Sequence, residues 1–158
     1  MYLYNKSNTR TAMKKTLLTL CSVLLAAVAM ACTDDDRIIT YDKLPAEAKN
    51  LIEQHFAQER VALVSEDREW FGSSYEVKFV NGGELKFDSE GRWSDIDCAP
   101  AAVPTALVPA QILQKVERDF GGRKVVKIDR DRRDYEVKLE GGLELTFDLK
   151  FNLIDLDD

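Results

Sequence analysis

One fourteen-residue pattern occurs twice in this chain and constrains its fold more than any other feature. Tyr75-Glu76-Val77-Lys78-Phe79-Val80-Asn81-Gly82-Gly83-Glu84-Leu85-Lys86-Phe87-Asp88 aligns with Tyr135-Glu136-Val137-Lys138-Leu139-Glu140-Gly141-Gly142-Leu143-Glu144-Leu145-Thr146-Phe147-Asp148, and nine of the fourteen positions coincide. Upstream, Leu44-Pro45-Ala46 matches Val108-Pro109-Ala110, Phe56 matches Phe120 and Val61 matches Val125. These upstream pairs lie 64 residues apart and the later ones 60, so the first copy carries four extra residues around Trp70-Phe71-Gly72-Ser73. Self-similarity at this spacing predicts one supersecondary unit given twice.

Each copy opens with a helix. Pro45 and Pro109 suit a first helical turn, where no amide donor is needed. Ala48, Leu51, Ile52 and Phe56 recur at helical spacing, as do Ile112, Leu113, Val116 and Phe120, and Gly121-Gly122 stops the second helix. Four strands follow in each copy. They are predicted at 61–69, 75–80, 84–88 and 92–98, then at 124–131, 133–140, 143–148 and 152–157, with Asn81-Gly82-Gly83 supplying a tight hairpin.

Alternation assigns the faces. Tyr75, Val77 and Phe79 oppose Glu76 and Lys78, while Leu85 and Phe87 oppose Glu84, Lys86 and Asp88. One apolar and one charged face predict an α+β protein with two tandem α-β-β-β-β repeats, its antiparallel sheet covered by helices on one face. A unit of about 50 residues has a marginal core by itself, so the two sheets are expected to join or pack into one domain.

The N-terminus reads as an address. Lys14-Lys15, an apolar run over 16–28 and Ala29-Met30-Ala31 before Cys32 describe a secretory signal peptide. The run is shorter than the ~20 residues a membrane span needs. Met13 is the expected true start. Ala29-Met30-Ala31-Cys32 resembles a bacterial lipobox, which makes Cys32 the lipidation site; ordinary cleavage leaving a free Cys32 is the rival reading. Thr33-Asp34-Asp35-Asp36 then serves either as a surface-export signal or as a solvated linker. In order, the chain reads as a signal peptide over 1–31 (with 1–12 an upstream extension), an acidic linker over 32–42, a first repeat over 43–98, a linker over 99–107 and a second repeat over 108–158.

With Cys21 removed and Cys32 lipidated, Cys98 stands alone as a structural thiol; without lipidation a Cys32–Cys98 bridge is conceivable. Setting aside Lys6, Arg10, Lys14 and Lys15 leaves 18 basic against 28 acidic residues over 33–158, a net charge of −10. A domain this acidic repels phosphate backbones and anionic lipid surfaces, which excludes nucleic acid and leaves the lipid anchor as its membrane contact. His55 is the only histidine, and no nucleophile–base pair suggests an enzyme.

A Pro-capped helix and four strands given twice, with Tyr-Glu-Val-Lys…Gly-x-Glu-Leu-x-Phe-Asp in each copy, resemble the PepSY-like family of beta-lactamase-inhibitor-like proteins over about residues 40–158. The resemblance implies a tandem-repeat fold similar to beta-lactamase inhibitory protein, with an open sheet face. It also implies binding or restraint of peptidases outside the cytoplasm, the role proposed for PepSY domains more broadly. It carries over no catalytic residue. The chain lacks the cysteine pairs that brace the inhibitor protein's repeats, which argues against inhibition of beta-lactamase itself.

Candidate partner-binding residues lie on the open face and in the extra loop. Strand alternation points Trp93, Asp95 and Asp97 outward in the first copy and Leu153, Asp155 and Asp157 outward in the second, while Trp70 and Phe71 occupy the loop tip. Aromatic anchors of this kind dominate binding interfaces. Alternate aspartates stand about 6.5–7 Å apart along a strand, but they lack the turn of a calcium-binding loop, so no metal or cofactor is expected. The reading is an exported, non-catalytic lipoprotein of a Gram-negative bacterium, periplasmic or at the outer membrane or cell surface, that binds or inhibits an envelope protein or peptide through its open face. Its alternatives are a small-ligand or cation sensor or carrier, and a structural surface lipoprotein.

Overall fold

The computed structural model describes residues 37–69 and 72–157. Nine strands form one sheet in which every neighbouring pair is antiparallel and the spatial order follows the chain, β1 to β9. They are β1 (Arg37–Ile38), β2 (Val61–Glu69), β3 (Gly72–Phe79), β4 (Glu84–Phe87), β5 (Trp93–Asp97), β6 (Val125–Arg130), β7 (Asp134–Leu139), β8 (Glu144–Asp148) and β9 (Leu153–Asp157). Helix α1 (Ala46–His55) precedes β2, and α2 (Ala110–Asp119) precedes β6. The architecture is α+β.

Both helices start directly after proline, and Pro45 and Pro109 hold the extended N-cap position rather than the first helical one. Helix α2 ends where Gly121 and Gly122 adopt φ of 67° and 66°, which lets the Gly122 N–H donate back to the Val116 carbonyl. Ala48 and Ile52 of α1 and Ile112 and Val116 of α2 bury themselves in one apolar cluster. That cluster also takes Val64, Val77, Leu85, Phe87, Ile96, Ile128, Val137, Leu145 and Phe147 from the sheet. Strand residues two apart share a face, so both helices cover the same side, and no described element covers the other.

Two stretches expected as linkers carry structure. Residues 37–43 contain β1 and a 3-10 turn (Tyr41–Lys43), and Thr105–Leu107 form another. The Ile39 N–H donates to the Val64 carbonyl and the Val103 N–H to the Val125 carbonyl, and Val103 is buried. These segments therefore complete the core rather than merely connect its parts. The second also allows β5 to pair with β6, with Asp95, Ile96 and Asp97 opposite Asp129, Ile128 and Lys127. That pairing joins the two predicted sheets into one.

Candidate binding face

The ladders place charged residues and one threonine in two rows across the open face. One runs Glu76, Lys86, Asp95, Asp129, Glu136, Thr146, Asp155 from β3 to β9. The other runs Lys78, Glu84, Asp97, Lys127, Lys138, Glu144, Asp157. Between β3 and β4, and between β7 and β8, acids and lysines neutralise one another. Lys78 reaches Glu76 and Glu84 at 3.3 and 3.4 Å, Lys86 reaches Glu84 at 3.3 Å, and Lys138 reaches Glu144 at 2.7 Å.

The centre of the face is different. Asp95, Asp129 and Glu136 stand in adjacent register across β5, β6 and β7. Lys127 lies beside them, 3.0 Å from Asp95. Partial burial, and then the neighbouring Asp95 carboxylate, push the Asp129 carboxyl up to about 6. Burial opposes the charge on Lys127, but Asp95, Asp97 and Asp129 together lift its pKa above the ordinary lysine value. One lysine thus serves several acids, and the crowding disfavours the ionisation of Asp129. A cation brought to this point would relieve it.

Asp95 lies on the open face as the alternation predicts, buried and paired with Lys127. Asp155 also lies there, exposed, with its Oδ1 accepting the Leu156 N–H at 2.9 Å. Trp93 and Leu153 do not point outward. Both turn to the helix side and pack against the core. The reason is a β-bulge in each of β5 and β9: Trp93 pairs with Phe87 while Asp95 pairs with Lys86, and Leu153 pairs with Phe147 while Asp155 pairs with Thr146. The extra residue, Ser94 or Ile154, breaks the period of two. Arg130 lies over the Trp93 ring, 4.5 Å from its centre, and its Nη2 donates to the Trp93 carbonyl at 2.8 Å. Trp70, Phe71 and Cys32 lie outside the described residues.

Sequence reasoning missed Lys127, Asp129 and Glu136. Their alternation along β6 and β7 was visible, but their neighbourhood with Asp95 depends on the β5–β6 pairing, which no local motif announces. On the helix side, a groove of about 580 Å³ is lined by Val103, Leu113, Val116, Val125, Arg123 and Lys124 among others. Cys98 is half-buried, and burial, then Asp97 and Glu59, push its thiol up to about 11, so it stays protonated at neutral pH. Among the described residues, no cluster of three or more potential metal ligands occurs, and no helix is long and apolar enough to cross a membrane.

A family model described as "Putative beta-lactamase-inhibitor-like, PepSY-like" matches residues 73–155. A solved structure described as a putative calcium-regulated periplasmic protein from Bacteroides thetaiotaomicron is 45% identical, with a TM-score of 0.76 over 80% of this chain and 100% of that one. A putative periplasmic protein of the DUF2874 family from Bacteroides vulgatus is 42% identical, with a TM-score of 0.78 over 80% and 100%. A third, a putative periplasmic protein of unknown function from the same species, is 38% identical, with a TM-score of 0.73 over 78% and 99%. No curated protein matches.

Proposed function

We propose, from the premise that this chain belongs to the PepSY-like family, that it is an exported, non-catalytic binding protein whose open sheet face takes a cationic segment of an envelope protein or peptide. The observation that carries this reading is the surplus of carboxylates at the centre of the face, where Glu136 stands beside Asp129 and the single Lys127 serves Asp95, Asp97 and Asp129. An incoming lysine or arginine would complete the neutralisation that Lys78 and Lys138 supply toward the sides. The periplasmic descriptions of the relatives support export. Lipidation of Cys32 fits that location; metabolic labelling with a fatty acid, lost in Cys32→Ser, tests it.

We also read residues 43–98 and 108–158 as copies of one unit. Supporting this, Lys78 opposite Glu84, Val77 opposite Leu85 and Tyr75 opposite Phe87 correspond to Lys138 opposite Glu144, Val137 opposite Leu145 and Tyr135 opposite Phe147.

Affinity capture from envelope extract tests the binding role, with the wild-type chain and an Asp95→Asn/Asp129→Asn/Glu136→Gln variant as baits. A partner that is held by the first, lost from the second and released by salt is the expected result. The same proteins on both baits would overturn the reading. A second reading, a calcium-responsive protein, draws on the description of the Bacteroides thetaiotaomicron relative. Calcium-dependent thermal stabilisation would favour it.

A further inference from the structure

Strands β5 and β9 occupy equivalent places against their inner neighbours. On β4, residues Glu84, Leu85, Lys86 and Phe87 oppose Asp97, Ile96, Asp95 and Trp93. On β8, residues Glu144, Leu145, Thr146 and Phe147 oppose Asp157, Leu156, Asp155 and Leu153, with the bulge in the same place. The outer edges differ. Strand β6 covers that of β5, whereas among the described residues no strand pairs with the outer edge of β9.

The consequences are specific. Ile96 is fully buried, but its counterpart Leu156 is 46% exposed and the adjacent Ile154 is 58% exposed. Lys127 of β6 neutralises Asp95, and Arg130 donates to the Trp93 carbonyl. Among the described residues, Asp155 and Asp157 have no lysine or arginine at ion-pair distance. Just beyond β5, the Cys98 N–H donates to the Val126 carbonyl of the neighbouring segment. On β9, the Leu156 N–H bonds its own neighbour's carboxylate, Asp155. An unpaired strand edge with exposed aliphatic residues is a template for one more strand.

We propose that the outer edge of β9 accepts an extended antiparallel segment of a partner protein, one that presents an aliphatic residue to Leu156, a lysine to Asp157 and an arginine two positions beyond the aliphatic. The β5–β6 pair supplies the pattern. Lys127 opposes Asp97, Ile128 opposes Ile96, and Arg130 reaches the Trp93 carbonyl, so the incoming strand reads Lys-aliphatic-x-Arg. Main-chain hydrogen bonds hold such a strand, and the alternate side chains choose it. A second copy of this chain is a poor occupant. Antiparallel pairing of β9 with another β9 brings aspartate against aspartate, and like charges directly opposite are destabilising. The inference rests on reading the chain as a binding protein but not on the central carboxylates of the open face.

The probe is a synthetic, fluorescently tagged peptide, Lys-Val-Val-Lys-Ile-Thr-Arg, which reproduces residues 124–130 with Asp129→Thr. Binding is followed by fluorescence polarisation, and amide hydrogen exchange locates it. The expected result is saturable binding with protection confined to β9. It weakens about tenfold when the peptide carries Lys127→Glu or the protein carries Asp155→Lys/Asp157→Lys, each of which sets like charges against each other. It is unchanged by Asp95→Asn/Asp129→Asn in the protein, so failure of the open-face reading is seen separately. Circular dichroism confirms that the exposed-site variant is folded. No saturable binding, protection away from β9, or equal binding of both peptides would overturn the proposal. So would protection without peptide of the β9 amides that do not bond to β8, whether it grows with protein concentration (a second copy) or does not (another segment of this chain).

Discussion

Strands β5 and β9 carry the same register, the same bulge and alternating aspartates, yet one lies inside the molecule and the other at its margin. Ile96 is completely buried and Leu156 almost half exposed. Among the described residues, Asp95 has a lysine and Asp155 a backbone amide. The difference is not in either strand's own pattern. It comes from what the chain does next, since β6 follows β5 across the 99–107 segment and no described strand follows β9. Burial is a property of a residue's neighbours, and a sheet edge leaves an apolar side chain without half of them.

Ile96→Ala and Leu156→Ala form the sharpest test of that contrast. The first deletes a fully buried side chain from the middle of the sheet and should cost about 2–5 kcal/mol, while the second should cost less than about 1 kcal/mol. Urea denaturation of the two variants measures both. Equal losses would mean that β9 is covered in solution.

The turns before these strands offer a second contrast. Asp88 and Asp148 cap them alike, each Oδ1 accepting two backbone amides, from Glu90 and Arg92 or from Lys150 and Asn152. Gly91 has φ of 87° and sits against α1; a β-carbon there would lie 2.8 Å from Pro45 Cβ and 2.9 Å from the Ala48 nitrogen. Phe151 holds the matching place at φ of 64°, with its ring 5.5 Å from that of Tyr135. Gly91→Ala should cost about 2–3 kcal/mol through positive φ and overpacking. Phe151→Gly relieves strain but loses ring packing, so a net change within about 1 kcal/mol is expected. The same denaturation series checks the pair.

Where the two halves meet, pH separates them from the rest of the face. The folded Asp129 carboxyl titrates near 6, above its ordinary 3.8, so the folded chain holds that proton more tightly than the unfolded one. Its contribution to stability is complete below about pH 4 and is lost as the pH rises through 6. Asp129→Asn should therefore melt higher than wild type at pH 7.5 and close to it at pH 3.5. Parallel melting-temperature curves across that window would contradict the crowding of Asp129 by Asp95. The smallest effect is expected at the second half's own exposed pair, Lys138–Glu144. Lys138→Ala should leave the denaturation midpoint within error, because solvent screens such pairs.

Much of this architecture was legible in the chain itself. The alternation around Tyr75, Val77 and Phe79, the helical spacing of Ala48 and Ile52, and the glycine-rich turns each specify a local conformation through steric and solvent preferences that need no distant partner. The alternation failed at Trp93 and Leu153, where a bulge inserts one residue and reverses the face. Nothing local distinguishes a bulged strand from a regular one there, because the bulge is defined against β4 or β8. The central carboxylate group was hidden for a similar reason. Asp95 and Asp129 are 34 residues apart in sequence and become neighbours only when β5 pairs with β6.

The sequence alone thus determined both helices, the strands β2 to β9, their order and the division into an apolar and a charged face, because those depend on contacts within a few residues. The joining of all nine strands into one sheet, the inward turn of Trp93, the crowding at Asp129 and the open edge at β9 were decided only by tertiary structure. Each depends on which strand lies alongside, and strand pairing is a long-range contact whose partner a residue's own neighbours in sequence do not name.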